Sequence, residues 1–168
     1  MTISMYQATL PVFIRMLNNL GAIVEKAMAF AATKKIEPTV LANYRLAPDM
    51  LPLARQIQIA TDTAKGCAAR LAGVEPPKYE DNEQTLPELK ERLQKTIDYL
   101  KTFRPEQIDG TEEKTIELKF PQKTFTFKGL DYVTGFATPN FYFHVTSTYA
   151  ILRHCGVDIG KTDFLGQM

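Results

Sequence analysis

The sequence predicts an all-α protein, a four-helix bundle with a small β-hairpin between its third and fourth helices. Two observations predict the elements: four segments carry apolar residues at intervals of three and four, and one segment alternates apolar and polar residues. A third observation, the length and composition of the chain, sets the number of domains. The chain has 168 residues, of which 45% are hydrophobic, which is enough for one ordinary core but not for two. We therefore expect a single domain over residues 1–168.

Charge and composition exclude several classes of function. A formal net charge of +1 favours neither a nucleic acid nor an anionic membrane surface as partner. With only two His and two Cys, the chain cannot be a disulfide scaffold or hold a metal site built mainly from those residues. No secretory signal or membrane span is recognisable. We expect a cytoplasmic protein in which Cys67 and Cys155 are buried thiols.

The first and second helices are predicted by long runs with helical spacing. Apolar residues recur every three or four positions over residues 4–33, before a proline-containing segment ends the pattern. Because Pro11 removes an amide and clashes with the preceding turn, the first helix either kinks there or begins near Thr9. A connecting piece, residues 39–45, leads to a second helix over residues 48–73, which ends on a glycine.

A capping motif predicts the third helix, and a change of period predicts the hairpin. Thr85 and Glu88 match a capping box at the start of the helix, and the Phe-Arg-Pro sequence at 103–105 ends it. Between residues 116 and 128 the apolar residues alternate with polar ones around a turn at 121–123. A lone hairpin is marginal in water, so its aromatic face should pack on the helices or on a second subunit.

The fourth helix is the most informative segment. Thr138 is expected to be its N-cap and Pro139 its first residue, and Gly156 closes it. Two adjacent apolar stripes at helical spacing indicate that this helix is largely buried. His144 lies on one of these stripes, so we expect its side chain to be buried as well.

A buried imidazole needs a partner, because an unpaired polar group in a core costs on the order of 1–3 kcal/mol. His144 is therefore either a metal ligand or acid/base group lining a cavity, or a histidine satisfied by a neighbouring Tyr, Gln or carbonyl. His154 lies about 15 Å further along the helix and is expected to serve the helix terminus instead. The residues predicted to form the pocket are Gln56, Asn140, His144, Thr148 and Tyr149.

Two polar features receive structural interpretations. One face of the second helix carries charged and amide side chains at three- and four-residue spacing, which predicts a solvated, paired surface. The residues of this face are Arg55, Gln58, Asp62 and Lys65. The Gly-Lys-Thr sequence at 160–162 is not a phosphate-binding loop, because that motif needs glycine where Cys155 stands and a following helix. We expect this tail to fold back with Phe164 and Leu165 against the helices.

Several segments together resemble a known family. They are RLAPDM at 45–50, RQIQ at 55–58, PNFYFH at 139–144, LRHCGV at 152–157 and GKTDFL at 160–165. They are similar to a bacterial and fungal domain family of unknown function that is grouped with the DinB/YfiT-like four-helix bundles, and the resemblance covers essentially the whole chain. It implies an up-down-down-up bundle, often homodimeric, in a superfamily described as metalloenzymes that includes thiol-dependent transferases.

The metal site that the resemblance implies is incomplete here. The superfamily uses one His on the second helix and two on the fourth, four residues apart. His144 matches the first position on the fourth helix, Thr148 stands where its partner should be, and the second helix has no His. Two of three ligands are absent. A divalent metal, with a thiol-transferase-like activity, is therefore an alternative that would need a non-standard site.

Three functional hypotheses follow. The first is an uncharacterised DinB-like protein with a small-molecule pocket around His144, which would be the acid/base group if the protein is an enzyme; no nucleophile stands beside it in sequence. The alternative is a non-enzymatic homodimeric scaffold, in which the hairpin residues Phe120, Phe125 and Phe127 meet a partner. The third is the metal-dependent enzyme with a non-standard site.

Overall fold

The computed structural model describes residues 2–166, which are mostly helical with one small antiparallel sheet. The helices are α1 (Met5–Ala8), α2 (Leu10–Lys34), α3 (Pro38–Asn43), α4 (Leu53–Ala72), α5 (Leu86–Leu100), α6 (Pro105–Ile108), α7 (Gly129–Tyr132), α8 (Thr138–His154) and α9 (Lys161–Leu165). Strands β1 (Thr115–Phe120) and β2 (Lys123–Lys128) form the sheet, and a π-helical turn spans Val133–Ala137. The prediction of four long helices and a hairpin before the last of them is confirmed. Within residues 2–166, no helix has the length and apolar character needed to cross a bilayer.

The first predicted helix is divided at Thr9. Ser4 and Gln7 form a capping box that starts α1, and Thr9 has non-helical backbone angles, φ −122° and ψ −82°. The Thr9 hydroxyl donates to the Met5 carbonyl at 2.6 Å, which satisfies the end of the short helix. Pro11 then lies in the first turn of α2, where its missing amide costs nothing. The predicted alternative of a start near Thr9 is confirmed.

The second long helix begins later than predicted. The expected start at Pro48 is wrong, because α4 begins at Leu53, after an extended Pro52 with φ −69° and ψ 164°. A residue before proline is restricted to extended conformations, so Leu51 cannot belong to a helix that continues through Pro52. The segment expected to be a connection contains the short helix α3. The glycine at the end of α4, Gly73, adopts φ +76° as expected for a C-terminal cap.

The third long helix starts as predicted. The Thr85 side chain accepts from the Glu88 amide, and the Glu88 carboxylate accepts from the Thr85 amide at 2.9 Å. The helix ends at Leu100 rather than at residues 103–105, and α6 begins at Pro105, after residues 101–104. The Phe-Arg-Pro sequence thus marks the start of the next short helix as well as the end of this one.

The helical segment that contains the fourth long helix begins at Gly129, ten residues before the predicted first residue, Pro139. Thr138 has φ −65° and ψ −51° and lies inside a continuous helical segment that starts at Gly129, so its assignment as an N-cap is wrong. The Thr138 amide donates to the Val133 carbonyl, five residues back, in the π-helical turn. This wider turn lets the helix continue into Pro139, which has no amide to donate.

The hairpin packs one face on the helices. β1 pairs with β2 in the register Phe120 to Lys123 through Thr115 to Lys128, around a two-residue turn. Ile116 and Leu118 are buried. The aromatic ring of Phe127 lies 6.0 Å from that of Phe136 in the π-helical turn. The expectation that the aromatic face packs on the helices is thus met at Phe127.

One hydrophobic core joins the four long helices. Helix α4 contacts both α5 and α8, and α2 contacts the same two helices from the other side. The tail folds back onto α2: Asn19 donates to the Phe164 carbonyl at 3.0 Å, and Lys26 pairs with Asp163 at 2.6 Å. Phe164 packs against the core as expected, but the expectation for Leu165 is wrong, because that side chain is exposed. This tail contains the five-residue helix α9, which the sequence interpretation had excluded. The amide of its N-cap residue, Gly160, donates to the Asp163 carboxylate at 2.8 Å.

Candidate functional site

His144 is buried and hydrogen-bonded to Gln56. Only 7% of His144 is exposed, and its Nδ1 lies 2.7 Å from Gln56 Oε1 across the contact between α8 and α4. The other end of the Gln56 amide, Nε2, donates to the Leu51 carbonyl at 3.0 Å. A chain of hydrogen bonds therefore runs from the fourth long helix through α4 to the segment that precedes α4.

This chain fixes the protonation of His144. Because Gln56 Nε2 donates to Leu51, its Oε1 is the acceptor that faces the imidazole, and Nδ1 of His144 must carry the proton. Burial lowers the pKa of His144 below its ordinary value of 6.5, so the ring is neutral at neutral pH. Nε2 then holds a free lone pair.

The Nε2 atom keeps contact with solvent. Within the described part of the chain, every fully buried side-chain nitrogen and oxygen has a hydrogen-bond partner. Only Nδ1 of His144 has such a partner there. Nε2 is therefore not sealed in the core, and it can accept a hydrogen bond from a molecule that reaches it.

An apolar groove lies next to His144 along α8, although His144 itself is not among its lining residues. It has a volume of about 440 Å³ and runs between α8 and the segment before α4. The groove is lined by Leu46, Met50, Tyr142, Phe143, Thr146, Ser147 and Ala150. Phe143 and Ser147 flank His144 along the helix, and Met50 precedes the Leu51 carbonyl that holds Gln56. The late start of α4 thus frees Met50 from the helix and makes it a wall of the groove.

The other predicted pocket residues divide into two groups. Thr148 is buried one turn after His144 on α8. Its hydroxyl donates to the His144 carbonyl at 2.9 Å, a hydrogen bond within the helix. Asn140 donates to Thr63 on α4 at 2.8 Å, one turn of α8 before His144. Tyr149 lies on another side of α8, where its ring meets Phe164 of the tail at 5.8 Å. The structure brings Gln56 to His144 and places Tyr149 elsewhere.

The side chains around His144 do not fit the three-histidine metal site that the resemblance implies. Gln56 uses its oxygen on His144 and its nitrogen on Leu51, and the Thr148 hydroxyl is directed to its own helix. Across residues 2–166 no group of three His, Cys, Asp or Glu side chains is arranged to hold a metal ion. His144 is left as a single nitrogen donor.

A second polar cluster, which the sequence interpretation missed, surrounds Arg92 on α5. Arg92 is buried, and its Nε donates to Thr61 at 2.8 Å. Nη1 donates to Glu83 at 3.0 Å and Nη2 to Asp62 at 2.8 Å, while Asp81 lies 3.1 Å from Nη2. These partners lie on α4 and on the crossover between α4 and α5, residues 73–85. We call this set the Arg92 cluster.

The Arg92 cluster corrects the prediction of a solvated face on α4. The polar residues of this α4 face are paired as expected, but Gln58 and Lys65 are buried, and only 6% of Lys65 is exposed. Gln58 donates to Glu83 at 2.9 Å, and Lys65 donates to Asp62 at 2.8 Å. The crossover covers this face and supplies the carboxylates. No periodic pattern marks the crossover in the sequence, so only the isolated Arg92 on the third helix could have signalled the cluster.

Tyr79 anchors the crossover over the same cluster. The Lys65 ammonium lies 3.7 Å from the centre of its ring, and the Lys95 ammonium lies 4.3 Å away. Burial raises the pKa of Tyr79, while its hydrogen bond with Thr96 and the charge of Arg92 act in the opposite direction. The phenol therefore stays neutral, and the cation–π contacts of its ring with Lys65 and Lys95 hold the crossover against α4 and α5.

The two thiols lie apart from His144. Cys67 is fully buried, and burial raises its pKa to about 12, although Arg70 acts in the opposite direction. Cys155 is half-buried rather than a core residue as expected, and burial raises its pKa as well. Neither thiol is activated as a nucleophile, because only the thiolate attacks.

Comparison with known proteins supports the fold and the family. A family model described as "Domain of unknown function (DUF1993)" matches residues 5–165. A crystal structure of a DinB family member protein from Shewanella denitrificans is 44% identical, with a TM-score of 0.88. The alignment covers 97% of this chain and 92% of that one. No functionally curated protein matches the chain.

Proposed function

We propose that this chain, which belongs to the DUF1993 family and shares the DinB-like fold, binds a small apolar molecule carrying one hydrogen-bond donor, such as a hydroxyl. The ligand lies in the groove between α8 and the segment before α4, and its donor meets Nε2 of His144. The single observation that carries the proposal is the half-satisfied His144. Its Nδ1 is fixed on Gln56 at 2.7 Å while Nε2 stays open.

Size and lining support this ligand class. Ligand pockets are mostly apolar clefts of about 300–1,000 Å³ with a few placed polar groups, and the groove holds about 440 Å³. A neutral imidazole with one lone pair recognises a donor and offers nothing to an anion. The pair formed by His144 and Gln56 is held in place before a ligand arrives, so binding need not order it.

We propose binding rather than turnover. A neutral His144 could act as a general base, but catalysis by a nucleophile would need an activated group near it. Cys67 is buried with a raised pKa. The metal-dependent alternative lacks its ligands around His144, as described above. Because both cysteines are free thiols, we also propose a cytoplasmic location.

We propose the up-down-down-up order for the four long helices. Pairs of contacts between neighbouring helices support this order. Residue numbers rise together in the contacts of α2 with α8 and of α4 with α5, so the helices of each pair run parallel. Between α4 and α8 the numbers rise on one helix and fall on the other, so these two helices run antiparallel. The contacts are Phe13 with Phe141 and Phe30 with Gly156, Gln56 with His144 and Thr63 with Asn140, and Thr61 with Arg92 and Lys65 with Lys95 around Tyr79. The long crossover before α5 suits parallel neighbours.

A matched pair of probes tests the ligand proposal. We expect 4-propylphenol to bind about fivefold more tightly than 4-propylanisole, which has the same apolar body but no donor; one hydrogen bond is worth about 1 kcal/mol. Titration followed by ¹⁵N NMR should shift the Nε2 resonance of His144 with the phenol alone. The His144→Phe variant should remove the difference between the two probes, and the His154→Phe variant should keep it.

Two outcomes would contradict the proposal. If both probes bind equally to the wild type, His144 does not select the ligand. If neither binds at millimolar concentration while the fold is intact by circular dichroism, the groove is not a site for this class of molecule.

A second candidate function is a homodimeric interaction protein. The exposed aromatic rings of Phe120 and Phe125 on the hairpin favour it, with 50% and 40% of each residue accessible. It would not exclude ligand binding, because the hairpin residues do not line the groove beside His144.

A further inference from the structure

Arg70, in the last turn of α4, holds a guanidinium group with free donors. Its Nη1 donates to the Tyr132 hydroxyl at 3.2 Å. Within residues 2–166, Arg70 forms no ion pair with an Asp or Glu, and no acceptor binds its Nε or Nη2. Every fully buried side-chain nitrogen in this part of the chain has a partner, so Nε and Nη2 must be in contact with solvent.

The guanidinium group lies over Gly66, one turn earlier on α4. A Cβ atom at Gly66 would overlap with Nη1 of Arg70, so any other residue at this position would displace the group. Glycine inside a helix is less stable than alanine, yet α4 carries this one in its buried second half. The surface of Gly66 and the Tyr132 hydroxyl together fix the guanidinium before a ligand arrives.

Two neighbouring grooves give access to Arg70. One has a volume of about 340 Å³ and lies between α4 and the crossover, where Pro76 and Pro77 form part of its wall. The other, of about 410 Å³, lies between the crossover and β1. Arg70, Glu75 and Pro76 line both grooves. A small molecule can therefore reach the free donors of Arg70 from the crossover side of α4.

We propose that Arg70 binds the carboxylate of a small organic acid in the groove between α4 and the crossover. A guanidinium presents its N–H groups in a planar fork that matches the two oxygens of a carboxylate, and Nε and Nη2 form one edge of that fork. Pro76 and Pro77 offer a rigid apolar surface to the body of the acid. The site is separate from the groove next to His144, because no residue lines both grooves.

The charge of the groove favours a ligand with one negative charge. The lining carries three cations and two carboxylates, a net charge of +1: Lys65, Arg70 and Lys78 against Asp62 and Glu75. Lys65 is already bound to Asp62 at 2.8 Å. One carboxylate of a ligand neutralises the lining, whereas the second negative charge of a phosphate monoester would be repelled by the carboxylates of the groove.

Benzoate, benzamide and phenyl phosphate test the site in the full chain. In a titration followed by ¹⁵N NMR, benzoate at millimolar concentration should shift the Nε resonance of Arg70. Benzamide has the same ring without the charge and should bind about tenfold or more weakly, because charge-assisted hydrogen bonds are lost. Phenyl phosphate should also bind more weakly than benzoate at pH 7.5, where it is mainly a dianion.

Two variants test the residues, with backbone amide shifts as the measure of binding. Arg70→Gln should abolish benzoate binding. Gly66→Ala should weaken binding about tenfold or more, because the added Cβ displaces the guanidinium, although alanine suits the helix. Arg15→Gln, which changes an exposed arginine on α2, is the matched control and should bind benzoate as the wild type does. Circular dichroism establishes that each variant is folded.

Four outcomes would overturn the proposal. If about 50 mM benzoate leaves the Nε resonance unmoved, Arg70 is not a receptor for a carboxylate. If benzamide binds as tightly as benzoate, the guanidinium does not select the ligand, and if phenyl phosphate binds more tightly, the ligand class is wrong. Binding of benzoate to folded Arg70→Gln or Gly66→Ala with the affinity of the wild type would place the ligand elsewhere.

Discussion

Helix α4 carries a buried polar site on each of two flanks, and the two differ in how completely they are satisfied. Towards α5, all five N–H groups of Arg92 have acceptors, which are Thr61, Glu80, Glu83, Asp62 and Gln58. Towards α8, His144 has one nitrogen bound to Gln56 and the other open. A saturated cluster has no group left for a ligand, whereas the half-satisfied histidine has one. We therefore assign structure to the first site and function to the second.

The charge state of the Arg92 cluster fits a structural role. Burial raises the pKa of Asp81, but the hydrogen bond and charge of Arg55, with those of Arg92, outweigh it and hold the pKa below 3.8. A carboxylate whose pKa is lowered by folding stabilises the folded protein at pH values above its ordinary pKa. This stabilisation is lost as the pH falls through the pKa of the folded state. Asp81 thus stays ionised and paired at neutral pH.

The largest effect should come from Arg92→Met, which keeps volume and removes the charge. We expect the free energy of unfolding to fall by about 3 kcal/mol, because the carboxylates of the cluster lose their shared cation and the Thr61 hydroxyl loses its donor. Urea denaturation measures this loss. Arg55→Met is the matched control: Arg55 is partly exposed and pairs with Asp81 at 2.5 Å, so its loss should cost under about 1 kcal/mol. Equal losses in the two variants would remove the structural assignment.

The next effect should come from the partner of His144. Gln56→Leu leaves the Nδ1–H of His144 without an acceptor, and we expect a loss of about 1–3 kcal/mol in urea denaturation. Gln56→Glu keeps an acceptor of the same length and should retain most of the stability. Gln94→Leu, on the exposed surface of α5, should change stability by less than about 0.5 kcal/mol. If Gln56→Leu behaves like Gln94→Leu, the hydrogen bond does not hold His144.

The sequence predicted the elements better than their ends. Period and capping located all four long helices, and the hairpin followed from the change of period. The predicted helix starts were wrong where a proline was interpreted as the first residue of a helix. Pro48 precedes a non-helical segment, and Pro139 lies inside a helix that the π-helical turn keeps continuous. Such adjustments depend on tertiary packing, which single-sequence patterns do not contain.

The two polar sites were predictable to different degrees. Gln56 was predicted to be a pocket residue together with His144, and the two side chains do contact each other. The Arg92 cluster was missed because its carboxylates lie on an aperiodic crossover, and a charged stripe on α4 resembles a surface. Burial there depends on a segment whose position the helical pattern does not encode.

The smallest effect, and the sharpest, is the pH dependence of stability that His144 contributes. Burial lowers its folded pKa below 6.5, so the unfolded chain binds more protons between the two values. Stability should therefore fall as pH drops from 6.5 towards the folded pKa, with a slope below about 1.4 kcal/mol per pH unit. Urea denaturation at pH 5.0–7.5 measures it, and the His144→Gln variant should lack this component.

Gln56→Glu should reverse the sign of that dependence. A carboxylate on Nδ1 favours the imidazolium and raises the folded pKa of His144, so its contribution is present at low pH and lost as pH rises through the raised value. The same change should weaken binding of 4-propylphenol at pH 6, because a protonated Nε2 cannot accept its hydroxyl. If stability and phenol binding keep the wild-type pH dependence in Gln56→Glu, then His144 is not controlled by this contact. The contrast with the saturated Arg92 cluster would then lose its functional meaning.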